Sequence, residues 1–196
     1  MSKIIQADEF KLIGTVYDDS KFPLMGQGLD TTSGRMGFNY FNGAAFFANN
    51  ARYPDEPISM TDQMSHAWKE GTTIYPHIHW KQQSANIPNF LLAYKVIGNG
   101  GADVVETGYT NHTFLTLQSH AFTYTSGILN QISGFGGISM AGETVSSVVH
   151  YALFRDTGNA STEFAGADPS SLTELVTTFD VHYEIDTLGS REEYAK

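Results

Sequence analysis

From Arg35 to Ile185 the chain is written in short runs whose apolar and polar residues roughly alternate, each run closed by Gly, Asn, Asp or Pro. A period near two marks β-strands with one buried face. Met36, Phe38, Tyr40 and Phe41 open this pattern, Asn42-Gly43 is a strong hairpin turn signal, and Ala44–Ala48 is the expected return strand. Further strands are predicted over Thr72–Gln82, Phe90–Ile97, Val104–Thr110, Thr113–Tyr124, Gly127–Ser133, Val145–Phe154 and Leu175–Ile185. The glycine-rich stretches Gly98–Gly101 and Gly134–Gly142 and the loop Arg155–Ser171 separate them. Ile58–Lys69 is the one place read as a short helix, starting at Thr61-Asp62-Gln63-Met64, with an irregular crossing segment as its alternative. Alternating β and α units are missing, which argues against a parallel α/β sheet.

About eight or nine strands spaced by turns predict an all-β fold, a single jelly-roll or Greek-key β-sandwich, over residues 34–187. Residues 1–33 are expected to form an extended N-terminal arm. Its anchors Ile4, Ile5, Phe10, Leu12, Ile13 and Val16 are scattered, Asp18–Lys21 and Gly26–Gly34 are turn-rich, and one short strand is expected near Phe10–Val16. Residues 188–196 read as a charged C-terminal tail. Segments of this kind drape over neighbours more readily than they build a core.

Composition narrows the partners. The chain has 196 residues, enough for one domain. Charged residues make up only 16%, against about 25% in an ordinary soluble domain, so neutral polar groups, backbone and partner protein must cover the surface. With 11 basic and 21 acidic residues the formal net charge is −10, which argues against nucleic acid and against an anionic membrane surface as partner. There is no cysteine, so disulfides, thiolate metal sites and cysteine nucleophiles are excluded. No apolar run approaches the roughly 18 residues of a membrane span, and Met1–Glu9 lacks the apolar centre of a signal peptide. Synthesis and folding in a cytoplasm are therefore expected.

The sharpest chemical feature is Glu70-Gly71-Thr72-Thr73-Ile74-Tyr75-Pro76-His77-Ile78-His79-Trp80. On a strand His77 and His79 share a face, and paired imidazoles suit Zn, Fe, Ni or Cu. Gly71, His77 and His79 resemble half of the first cupin motif, which implies a metal-binding protein or enzyme on a jelly-roll strand. The glutamate that cupins need next is absent, because Trp80-Lys81-Gln82-Gln83 follows, and no second cupin motif appears. His182 and His150, on other expected strands, are candidates for further ligands. The competing reading puts both imidazoles on a solvated or subunit-facing side, with Ile78 and Trp80 on the other. Asp180, Glu184 and Asp186 are acids of the kind that bind Ca²⁺, without EF-hand spacing, and equally a solvated face. Trp68, Tyr75, Trp80 and Tyr109 are the candidates for a carbohydrate-stacking face. No nucleophile elbow, Walker loop or dinucleotide fingerprint is present, so no catalytic residue and no cofactor is assigned, and a non-enzymatic role is expected.

Two segments carry a wider resemblance. Met64–Trp80, with its His-x-Trp-x-Glu-Gly-Thr and Pro-His-x-His-Trp elements, and Phe179–Tyr194 together resemble small structural proteins of tailed-bacteriophage virions. The resemblance implies a virion protein made in the host cytoplasm, foremost a jelly-roll decoration (cement) protein that grips neighbouring capsid subunits. A neck or tail accessory protein is the alternative. It implies the major capsid protein or other virion proteins as partners and self-association as a homotrimer. It brings no catalytic residue. His66, Trp68, Trp80, Leu188, Arg191 and Tyr194 lie in these segments and are the expected interface residues, while His77, His79 and His182 are the expected metal ligands. The His77–Trp80 and Val181–Ile185 strands are expected side by side in one sheet.

Overall fold

The structure, a computed structural model, describes residues 14–23, 37–39, 44–46, 58–82, 90–101, 109, 111–117, 129–155 and 175–186. Among them lie ten strands: β1 Val16–Pro23, β2 Gly37–Asn39, β3 Ala44–Phe46, β4 Ile58–Gln63, β5 Tyr75–Gln82, β6 Phe90–Ile97, β7 Thr113–Thr116, β8 Leu129–Gly134, β9 Val148–Arg155 and β10 Leu175–Ile185. No helix appears among the described residues. The all-β expectation holds, and the molecule is a β-sandwich of two antiparallel sheets.

One sheet has six strands, in the order β2-β3-β10-β5-β8 with β1 also on β10; the other has four, in the order β4-β9-β6-β7. Strand β10 organises the first. On one edge it pairs with β5; on the other it pairs with β1 from Thr178 to Ile185 and with β3 at Leu175 and Val176. Setting aside the β2–β3 hairpin, the pairs are nested: β1 with β10, β4 with β9, β5 with β8 and β6 with β7. The pairs β10–β5 and β9–β6 then join these ribbons into sheets.

Alternation sorts the faces. Ile78, Trp80, Phe179 and Val181 point inward from the first sheet and meet Met60, Leu92, Val149, Tyr151 and Leu153 of the second in one buried cluster. The Tyr151 and Phe179 rings cross the interface with centroids 5.1 Å apart. The second sheet also buries part of its outer face, where Leu91, Ala93, Ala152 and Phe154 pack with Tyr109 and Phe114.

Two expectations are corrected. Ile58–Gln63 is strand β4, neither a helix nor an irregular crossing, because Ile58, Met60 and Asp62 are buried in turn while Ser59, Thr61 and Gln63 are exposed. Val16–Pro23, taken as part of the arm, is strand β1, paired residue for residue with β10. Its polar run Asp18–Lys21 suits an edge strand, where charge discourages further pairing. The rest of the proposed arm, the tail 188–196 and most of the strand expected at Val104–Thr110 lie outside the described residues.

The segment from Met64 to Ile74 carries the chain from the second sheet to the first. Met64 N–H donates to the Ser147 carbonyl (2.8 Å), Lys69 N–H to Glu184 (2.8 Å) and Asp186 N–H to Ala67 (3.2 Å). The Glu70 carboxylate accepts from Val145 N–H at 2.8 Å. A tight turn follows, closed by Thr72 N–H on the Lys69 carbonyl. Gly71, at its third position, has φ +74°, the left-handed value that selects glycine there. A Cβ at Gly71 would meet nothing nearer than 4.0 Å. The cost of Gly71→Ala is therefore conformational, about 1–2 kcal/mol, and is read as a lowered midpoint in urea denaturation.

Candidate functional site

The outer face of the six-stranded sheet gathers the imidazoles. On β5, Tyr75, His77 and His79 face out, opposite in sense to Ile78 and Trp80. Register then decides their neighbours: Asp180 lies opposite His77, Thr178 opposite His79 and His182 opposite Tyr75. A register shift between Val176 and Thr178 resets the alternation of β10 at this point. Such irregularities commonly re-aim side chains next to sites. From β1, Asp19 lies opposite His182 and Lys21 opposite Asp180.

A continuous polar path results. Asp19 Oδ1 sits 2.7 Å from His182 Nε2. The His182 and His77 rings meet edge-on at 4.3 Å, and the His77 and His79 rings lie 5.2 Å apart. Asp180 Oδ2 is 3.1 Å from His79 Nε2 and 3.7 Å from His77 Nε2. His77 and Asp180 are buried despite facing outward, while His182 is exposed. Burial, reinforced by the neighbouring His182, lowers the His77 pKa; Asp180 opposes this shift. The His77 ring is also hydrogen-bonded to the Tyr75 backbone, a contact of the kind that fixes the orientation of a ligating imidazole.

Donor atoms of His77, His79 and Asp180 all lie within 4.8 Å of one another. Two imidazole nitrogens and one carboxylate oxygen are a donor set for Zn²⁺ and similar ions. Hard cations such as Ca²⁺ ask for six to eight oxygens. Of the three expected ligands, the structure brings His77 and His79 together and sets His182 beside them, engaged with Asp19 and outside the three-donor group. His150 is on the other sheet, with Nδ1 3.2 Å from Thr61 Oγ1, and does not reach the site. Nor do the acids cluster: Glu184 is held by Lys69 at 2.6 Å, and Asp186 is exposed. Because the imidazoles face away from the sandwich interior, they cannot reproduce an ion held inside a cupin barrel.

The interface list changes too. Trp68 and Trp80 are buried in the core, at 0% and 1% exposure, and therefore serve neither as surface contacts nor as sugar-stacking platforms. Apolar burial outweighs a surface role for the largest side chains in the chain. Tyr75 is exposed, and Tyr109 packs edge-on against Phe154 at 5.0 Å. His66 is half-buried beside Ser146. Leu188, Arg191 and Tyr194 lie outside the described residues. The described parts of the two segments that carried the phage resemblance lie together, as β5 and the Met64–Ile74 crossing both dock on Phe179–Asp186.

Asp19 and Asp180 were missed as members of the site. The available signal was the Asp180-x-His182 spacing, which puts both on one face once Leu175–Ile185 is a strand.

No family model, curated protein or solved structure matches the chain.

Proposed function

We propose that this chain is a structural subunit of a tailed-bacteriophage virion, a jelly-roll decoration protein that binds and braces neighbouring capsid subunits. The observation that carries the reading is the distribution of exposed apolar side chains. The large exposed apolar residues among those described are Tyr17, Tyr75 and Ile132. Register puts all three on the outer face of the six-stranded sheet, from β1, β5 and β8. A face carrying aromatic and aliphatic groups among half-buried polar ones has the make-up of a protein contact. We assign it to self-association as a homotrimer, with the capsid protein as the further partner.

The nested pairing of β1–β10, β4–β9, β5–β8 and β6–β7 supports the jelly-roll assignment, an arrangement of eight strands in two Greek keys common in capsid proteins. The joint docking of the two signature segments supports the phage resemblance.

Two measurements test this. Light scattering on the purified chain is expected to give a trimer, and Ile132→Glu to give a monomer with an unchanged thermal melt. Mass spectrometry of purified particles is expected to find many copies per capsid. A few copies would move the protein to the neck or tail. Absence from particles, or a wild-type monomer at high concentration, would overturn the reading.

A further inference from the structure

We propose that His77, His79 and Asp180 form a binding site for a borderline transition-metal ion, Zn²⁺ foremost, on the outer face of the six-stranded sheet. The inference rests on side-chain geometry and does not depend on the virion reading.

The first observation is convergence. His77 Nε2 and His79 Nε2 both aim at one carboxylate oxygen, Asp180 Oδ2, at 3.7 and 3.1 Å. In a tetrahedral zinc site with bonds near 2.0–2.1 Å, donors stand about 3.3 Å apart. Side-chain donors within 4.8 Å of one another reach that spacing by small rotamer adjustments. Positions i and i+2 on β5, with Asp180 on β10 directly opposite His77 and diagonal to His79, place all three donors on paired strands, as a preorganised site requires.

The second observation is the other carboxylate oxygen. The Asp180 side chain is only 7% exposed, and its Oδ1 is buried without a hydrogen-bond partner. A buried carboxylate left half satisfied has lost the water of its unpaired oxygen without a replacement, which is unfavourable. Ordinary histidine–aspartate hydrogen bonding accounts for Oδ2 and leaves Oδ1 unexplained. A cation at the carboxylate offsets the charge of the whole group.

The surroundings add a third element. Asp19 fixes His182 at 2.7 Å, and that ring stands edge-on to His77 at 4.3 Å, so His182 lines the site without joining the donor set. Three protein donors leave a fourth tetrahedral position.

The test uses the full chain, dialysed against chelator and titrated with Zn²⁺ by calorimetry and with Co²⁺ by its ligand-field absorption. One ion per chain is expected, with a tetrahedral Co²⁺ spectrum and a raised melting temperature on Zn²⁺ addition. His79→Ala and Asp180→Asn are each expected to weaken binding by more than about 100-fold, above the roughly 10–100-fold range for loss of a mere supporting contact. His150→Ala, on the other sheet, is expected to bind like wild type. Because His79 is partly exposed, His79→Gln provides a second variant whose folded state is checked by the metal-free melt. Sub-stoichiometric binding by the wild-type chain would overturn the proposal, as would wild-type affinity in folded His79→Gln or Asp180→Asn.

Discussion

Replacing Trp80 with alanine is expected to destabilise the fold by about 3–5 kcal/mol, a large part of the 5–15 kcal/mol that holds an ordinary domain together. Trp80 lies on β5 between β10 and β8, at 1% exposure. Removing the indole opens a cavity at the centre of the six-stranded sheet's inner face. It also strands a partner: the indole N–H donates to Ser133 Oγ at 3.0 Å, and Ser133 is fully buried. Trp80→Phe separates these effects, since it keeps most of the volume but still orphans the hydroxyl, for an expected loss of about 1–3 kcal/mol. Tyr75→Ala, on the same strand but exposed, is expected to stay within about 0.5 kcal/mol. Urea denaturation of the three variants checks the order. A Trp80→Ala loss no larger than that of Tyr75→Ala would mean that the indole is not in the core.

Asp62→Asn is expected to stabilise the protein at neutral pH, by up to about 3 kcal/mol, and to do nothing in acid. Asp62 occupies an inward position of β4, after Ile58 and Met60. Ser20 Oγ donates to its Oδ1 at 3.3 Å, while Oδ2 is buried without a partner. Burial pushes its pKa from 3.8 to about 6, against the lowering effect of hydrogen bonds from Ser20 and the Gln63 backbone. A raised carboxyl pKa means that the folded chain holds a proton which the unfolded chain releases between those two values. Stability therefore falls as pH rises through that window and stays low above it. Asparagine cannot ionise, so the variant lacks this fall. Chemical denaturation at pH 4, 5, 6 and 7.5 is expected to show the two curves diverging as pH rises. A constant gap across that range would mean that Asp62 does not titrate in this window.

The same residue explains why β4 was hard to read. An ionisable group at an inward position breaks the apolar alternation, and Thr61-Asp62-Gln63 imitates a helix start. Strand β1 was hidden for a related reason. Asp18, Asp19, Ser20 and Lys21 read as a turn, and only pairing with a strand far along the chain makes them extended. Where apolar residues are dense, the reading is sharp: Phe90–Ile97 and Leu175–Ile185 have the bounds expected. The shared face of His77 and His79, opposite Ile78 and Trp80, was also legible, because alternation is local. Alternation sets Trp80 opposite the imidazoles, on the core side, and its burial overturns the contact role expected of it. Spacing alone puts Asp180 on the face of His182, but the meeting of Asp180 with His77 and His79, and of Asp19 with His182, needed the register of three strands, which no local pattern carries.

The nested ribbon also sets an order of events on the ribosome. Val16 waits for Ile185 and Asp62 for Val149, whereas Leu92 needs only Leu115. The β6–β7 hairpin is free to close early, but β1 and β5 must remain without β10 until the chain through Ile185 has emerged. Closing such distant pairs late makes folding slow, on a scale of milliseconds to seconds, and leaves strand edges open to other chains in the interval.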